Sequence, residues 1–107
     1  MTEAYLSLGS NIGNRLSNIQ TAVDLLSQTA GTTICAVSQV YETQPVGGVP
    51  QDDFYNVALR IQTAQSALLL LDKLHDIEQS LKRVRHVHWG PRTMDLDILV
   101  FGNEVWS

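Results

Sequence analysis

Apolar residues fall on every second site at the start of the chain. In AYLSLGS (4–10), Leu6 and Leu8 alternate with Tyr5, Ser7 and Gly9, the period of a half-buried strand that ends at glycine. The period then changes. In NIGNRLSNIQTAVDLLSQTAG (11–31), Leu16, Ile19, Val23 and Leu26 recur at helical spacing, with Asn11 or Asn14 as the N-cap and Gly31 as a stop. TTICAVSQVYET (32–43) is rich in β-branched residues and predicts a second strand with Cys35 as an ordinary buried thiol. QPVGGVPQDD (44–53), with two prolines and two glycines and no periodicity, reads as a loop. Alternation returns in FYNVALRIQT (54–63), with Tyr55, Val57, Leu59 and Ile61 on one face and Phe54, Asn56, Ala58, Arg60 and Gln62 on the other. This third strand is expected to lie antiparallel to the second.

Ser66 then caps a second helix, whose stripe of Leu70, Leu74, Ile77 and Leu81 is widened by Leu71. KRVRHVHWGPR (82–92) is a basic connection, and GPRTMDLDILV (90–100) leads into a fourth strand that ends at Gly102. The order β-α-β-β-α-β predicts an α+β domain of ferredoxin-like architecture, with a four-stranded antiparallel sheet and two helices on one face. No repeat or linker divides residues 1–107, so they are expected to form a single domain. Helices on one face leave the other open to a ligand.

Composition narrows the ligand. The net charge of −4 argues against a general nucleic-acid or anionic-membrane binder. Lys82, Arg83, Arg85 and Arg92 nevertheless crowd into one short segment with His86 and His88, which suits a small polyanion better than a long one. A single cysteine excludes an intrachain disulfide and a thiolate metal cage. Apolar runs fall short of the roughly 18 residues of a spanning helix, and no leader pattern opens the chain, so a soluble, cytoplasmic protein with no membrane partner is expected.

The fourth strand carries the strongest chemical signal. Asp95 and Asp97 alternate with Leu96 and Ile98, so both carboxylates share one face with α-carbons about 6.5 Å apart. Such a pair suits Mg²⁺, a hard cation that takes one or two carboxylates and completes its shell with phosphate oxygens; the bland alternative is a solvated strand face. Arg83, Arg85 and Arg92 can fork onto phosphate oxygens, although Lys82 fits a solvated helix end better. Trp89 is either a stacking surface or core. Asn56, an amide among apolar neighbours beside Phe54, either reads the mixed edge of a flat heterocycle or bonds to the neighbouring loop. His86 and His88 lack the further ligands that zinc needs. LGSNIGN does not have the spacing of a phosphate cradle and reads as a turn and helix start.

WGPRTMDLDILVFGNE, LSLGSNIGNR and VYETQPVG…DDFYNVAL, taken in combination, resemble the hydroxymethyl-dihydropterin pyrophosphokinase family of folate biosynthesis, over essentially the whole chain. The resemblance implies transfer of the β,γ-diphosphate of ATP to the hydroxymethyl group of 6-hydroxymethyl-7,8-dihydropterin, with release of AMP. It implies that Asp95 and Asp97 hold two Mg²⁺ ions against the triphosphate and that Arg83 and Arg92 neutralise phosphate charge, assisted by Arg85. His75, Glu78, Trp89 and Ile98 would complete the ATP site. Thr43, Gln44, Val46, Phe54, Asn56 and Trp89 would form the pterin site. Members usually continue past FGNE into a segment that helps bind both substrates; a chain ending at Ser107 is expected to fold but to bind ATP weakly and turn over slowly. The rival from another class is a non-catalytic ferredoxin-like module that holds RNA or a metabolite on its open sheet. The acidic balance and the aspartate pair count against it.

Overall fold

Alternation makes β1 (Thr2–Ser10) a strand with one wholly apolar face, and that face sets its place at the centre of the sheet. Ala4, Leu6 and Leu8 are completely buried, whereas Tyr5 and Ser7 face the other way. The computed structural model describes residues 1–11, 13–44, 52–81 and 94–105. Its remaining elements are α1 (Arg15–Ser27), β2 (Thr32–Val37), β3 (Tyr41–Thr43), β4 (Phe54–Thr63), α2 (Ala67–Leu81), β5 (Asp95–Phe101) and β6 (Glu104–Val105). The sheet runs β2-β4-β1-β5-β6, with β3 also paired to β4, and every pairing is antiparallel.

Both helices contribute to one core on one side of this sheet. Ile19, Ala22 and Leu26 of α1 and Leu70, Leu74 and Ile77 of α2 join Ala4, Leu6, Leu8, Val57, Leu59, Ile61, Leu96 and Ile98 in a single buried cluster. Each large side chain buried there contributes about 1.5–3 kcal/mol relative to an exposed one. The caps follow local chemistry. The Asn14 side chain accepts from the Ser17 N–H at 3.0 Å, and the Ser66 hydroxyl accepts from the Leu69 N–H at 3.2 Å. Helix α1 stops at Ser27, and Gly31, at φ +76°, then turns the chain toward β2. The expected stripe on α1 is rotated: Leu16 is 53% exposed and Ala22 is buried in its stead. A methyl side chain lets the helix approach the sheet closely, which draws the contact line toward Ala22 and away from the first turn.

The sheet departs from the four strands expected: among the described residues it has six. The predicted second strand divides into β2 and β3 because its ladder on β4 is interrupted. A bulge lies between Ile34 and Ala36, so Cys35 is an extra residue that projects outward and is exposed rather than buried. At Ser38 the side chain takes over part of the ladder. Its N–H donates to the Ala58 carbonyl at 2.9 Å, and its hydroxyl accepts from the Ala58 N–H at 2.8 Å. Main-chain pairing resumes at Tyr41, opposite Asn56. β6 is a short return after Gly102, whose φ of +60° makes the turn that pairs Phe101 with Glu104. Among the described residues no helix is long and apolar enough to cross a membrane.

Candidate functional site

Register brings the proposed chemistry together on the open face. Gly9 of β1 lies opposite Asn56 of β4 on one side and Asp95 of β5 on the other, and Ser7 lies between Ala58 and Asp97. Tyr41 of β3 extends the first row beyond Asn56, and Thr43 pairs with Phe54. The period of two therefore turns Phe54, Asn56, Gly9, Ser7, Asp95 and Asp97 to one face while Leu8, Val57, Leu96 and Ile98 fill the core behind them. A cavity of about 200 Å³ opens there, lined by these six residues together with Thr43 and Gln44.

Asn56 is held by its neighbours. Its Nδ2 donates to the Thr43 hydroxyl at 2.9 Å and to the Tyr41 carbonyl at 3.3 Å. These bonds turn Oδ1 toward Gly9: a Cβ added to Gly9 would lie 2.7 Å from Asn56 Oδ1 and 3.3 Å from Phe54 Cδ1. The glycine thus keeps the strip between the amide and the carboxylates free of side-chain volume. The hydrogen bond to the neighbouring strand and the ligand-reading role were alternatives in the sequence. In the fold the donor end of the amide makes the first, which leaves the acceptor end oriented for the second.

The acidic side is electrostatically loaded. Asp95 and Asp97 are exposed on the open face, and Glu78 of α2 approaches β5, its Oε2 accepting from the Leu96 N–H at 3.1 Å. Partial desolvation lifts the Asp97 carboxyl above the ordinary aspartate range even though the residue is exposed, the charge of Asp95 lifts it further, and His75 opposes both. Glu78 is also raised, mainly by burial. The Leu96 N–H pulls it back, Asp95 raises it, His75 lowers it and Asp97 adds a smaller upward push. Such mutual repulsion among carboxylates is relieved when a cation joins them. Among the described residues no three His, Cys, Asp or Glu side chains form a self-sufficient metal cage. Two strand carboxylates would leave most of a cation's shell to other oxygens, which is how Mg²⁺ is usually held alongside phosphates.

Thr43, Gln44, Phe54, Asn56, Asp95 and Asp97, six of the residues singled out in the sequence, line the one cavity, and His75 and Glu78 stand beside its acidic end through their charges. Ile98 has its side chain in the core, 3% exposed, on the side of the sheet away from the cavity. Its main chain points to the same edge of β5 as the Leu96 N–H, two residues earlier. Arg83, Arg85, Arg92, Trp89, Val46, His86 and His88 lie outside the described residues. Ser7 and Gly9 were missed as site residues. Their signal was present as small residues on the polar face of an otherwise apolar strand, but only the pairing with β4 and β5 gives it meaning.

The chain matches 7,8-dihydro-6-hydroxymethylpterin-pyrophosphokinase (HPPK) over residues 5–106. It is 50% identical over 101 residues to the 2-amino-4-hydroxy-6-hydroxymethyldihydropteridine pyrophosphokinase of Bacillus subtilis, covering 94% of this chain and 60% of that protein. The protein of the same name in Haemophilus influenzae is 41% identical over 105 residues, covering 98% of this chain and 66% of its own length. The "Bifunctional protein FolKE" of Lactococcus lactis subsp. cremoris is 50% identical over 103 residues, 96% of this chain but 30% of that longer protein. The chain thus spans less than two thirds of the length of each of these relatives. With the match running along β1, the cavity strands and the aspartate strand alike, the chain belongs to the 7,8-dihydro-6-hydroxymethylpterin-pyrophosphokinase family.

Proposed function

We propose that this chain transfers diphosphate from ATP to the hydroxymethyl group of 6-hydroxymethyl-7,8-dihydropterin, releasing AMP. The observation that carries the reading is a cavity in which an oriented carboxamide and a carboxylate pair face each other across Gly9 and Ser7. The pterin hydroxyl oxygen forms a bond to the β-phosphorus, the bond from that phosphorus to the α,β-bridging oxygen breaks, and the hydroxyl proton is lost as AMP departs. Asn56 Oδ1 accepts from a ring N–H of the pterin, Phe54 packs along the ring, and Thr43 and Gln44 close the rim. Asp95 and Asp97 provide the oxygen donors for Mg²⁺, two ions in this reading, which would neutralise the triphosphate and withdraw charge from the reacting phosphorus. His75 and Glu78 border the nucleotide, with the Ile98 main chain along the strand edge. Arg83, Arg85, Arg92 and Trp89 are assigned to ATP, and Val46 and Trp89 to the pterin, from the family resemblance alone. Positioning and charge neutralisation supply the acceleration, as expected of phosphoryl transfer.

Several broader features support this reading. If β2 and β3 are taken as halves of one strand and β6 as an edge addition, the sheet order becomes second-third-first-fourth, the ferredoxin-like arrangement. A cytoplasmic location follows from the use of ATP. RNA binding is disfavoured, because two carboxylates in the cavity would repel phosphodiesters unless a cation intervened.

The test is a titration with a non-hydrolysable ATP analogue and the pterin, with and without Mg²⁺, followed by an AMP-release assay with ATP. Magnesium-dependent binding of both ligands together is expected. Metal-independent binding, or pterin binding unaffected by Asn56→Ala, would overturn the assignment.

A further inference from the structure

The start of α1 and the turn before it touch the entrance of β4 from the side opposite the cavity. Arg15 lies behind β4, on the side away from the cavity. Its guanidinium carbon is 3.8 Å from the centroid of the Tyr55 ring, and its Nη1 donates to the Asp53 carbonyl at 2.9 Å. Asn11, 2% exposed, adds a second tie one residue earlier: its Nδ2 donates to the Asp52 carbonyl at 3.0 Å. The start of α1 itself is anchored, since Asn18 Nδ2 donates to the Ser10 hydroxyl at 3.2 Å and Asn14 caps the first turn. Residues 52–55 are therefore stitched to a rigid helix start on one side, whereas Phe54 and Asn56 face the cavity on the other.

We propose that Arg15 is a positioning residue for the heterocycle half of the cavity: it clamps Asp53 and Tyr55 from behind and so fixes where Phe54 and Asn56 stand. The inference rests on the pterin reading above for the identity of the ligand, but the clamp is independent of it. The physical reason is the strand's period of two. Tyr55 lies between the two cavity residues, so rotation or withdrawal of its backbone moves both of them. Arg15 grips this strand entrance by two different interactions at once. A planar guanidinium can stack on the Tyr55 ring while its edge donates to a carbonyl, a combination an ammonium cannot reproduce. The carboxylate half does not touch Arg15 among the described residues and is held by other contacts. Asp95 and Asp97 are placed by β1, and Glu78 ties β5 to α2.

The asymmetry gives the test. Arg15→Ala is expected to weaken binding of 6-hydroxymethyl-7,8-dihydropterin about three- to tenfold, the scale of losing one cation–π contact and one charged hydrogen bond. Magnesium-dependent affinity for the ATP analogue is expected to remain within about twofold. Arg15→Lys should recover part of the loss. Residue-resolved amide exchange on the ligand-free protein should quicken at Phe54, Tyr55 and Asn56 in Arg15→Ala, with Leu6 and Leu96 unchanged. Equal pterin affinity and equal exchange in Arg15→Ala would overturn the proposal. So would faster exchange throughout the sheet, which would make Arg15 merely structural. A wild-type chain that binds no pterin, combined with local quickening at residues 54–56 in the variant, would sink the ligand assignment and leave the clamp standing.

Discussion

The two faces of β1, β4 and β5 are built from the same strands, yet they obey different rules. On the covered face, Leu6, Leu59, Ile61 and their neighbours are at most a few per cent exposed and are interchangeable in kind, since any apolar side chain of suitable volume would serve. On the open face, Asp95, Gly9 and Asn56 form a single row of charge, empty space and amide, and none can stand in for another. Substitutions on the covered face should therefore act through stability, and those on the open face through binding, although they sit one residue apart in the chain.

The strongest way to break this contrast is Asp97→Ala. Turnover should fall on the order of a hundredfold to a thousandfold, the scale of losing one preorganised electrostatic group. Tm should hold or rise slightly, because a repelling carboxylate has been removed. A Tm loss as large as that of a core variant would show that the faces are not separable. The converse is Leu6→Ala, in which a completely buried side chain is truncated beside Ser7 of the site. Denaturant unfolding should report a loss of about 2–5 kcal/mol, with affinity for ligands retained in the fraction that stays folded.

Gly9→Ala sharpens the comparison further. The new methyl would meet Asn56 Oδ1 at 2.7 Å, so either the amide moves or the cavity fills. Pterin affinity should drop about tenfold, the equivalent of roughly 1.4 kcal/mol, while the apolar face of β1 is untouched. Calorimetry on the folded variant decides the outcome.

The smallest effect is in pH. Asp97 and Glu78 are raised in the folded protein, so the native state holds protons that the unfolded chain has released. Their favourable contribution is complete below the unfolded carboxylate values, near pH 4, and is lost as pH climbs through the raised ones. Without divalent cation, Tm should slip modestly across that window. Saturating Mg²⁺ should flatten the slope, and Mg²⁺ affinity should rise with pH as protons cease to compete. A metal-free Tm that rises through the same window in wild type but not in Asp97→Asn would contradict the partial desolvation of this charge and its repulsion by Asp95.

Much of the molecule was legible one residue at a time. The alternation in 54–63 assigns its two faces correctly, the α2 stripe is buried at Leu70, Leu74 and Ile77 and partly buried at Leu71 and Leu81, and Asp95 and Asp97 emerge together opposite Leu96 and Ile98. The local periods carried these conclusions because burial on one face is what creates them. The division of β2 from β3 was not legible, because a bulge at Cys35 and a hydroxyl substituting in the ladder at Ser38 depend on the partner strand, not on propensity. Leu16 misled for a similar reason: the approach of α1 to the sheet, through Ala22, decides which flank of its stripe is covered.

By itself the order of residues determined the two helices, the two-sidedness of β1, β4 and β5, the carboxylate pair and the family signature, since all of these are written in short-range spacing. Tertiary structure alone decided that Gly9 stands between Asp95 and Asn56, that Asn56 presents its oxygen to that gap, and that Arg15 grips the far side of the same strand. Those facts depend on register between segments distant in the chain. A shift of one residue in that register would reverse every side chain's face, and no local pattern encodes it.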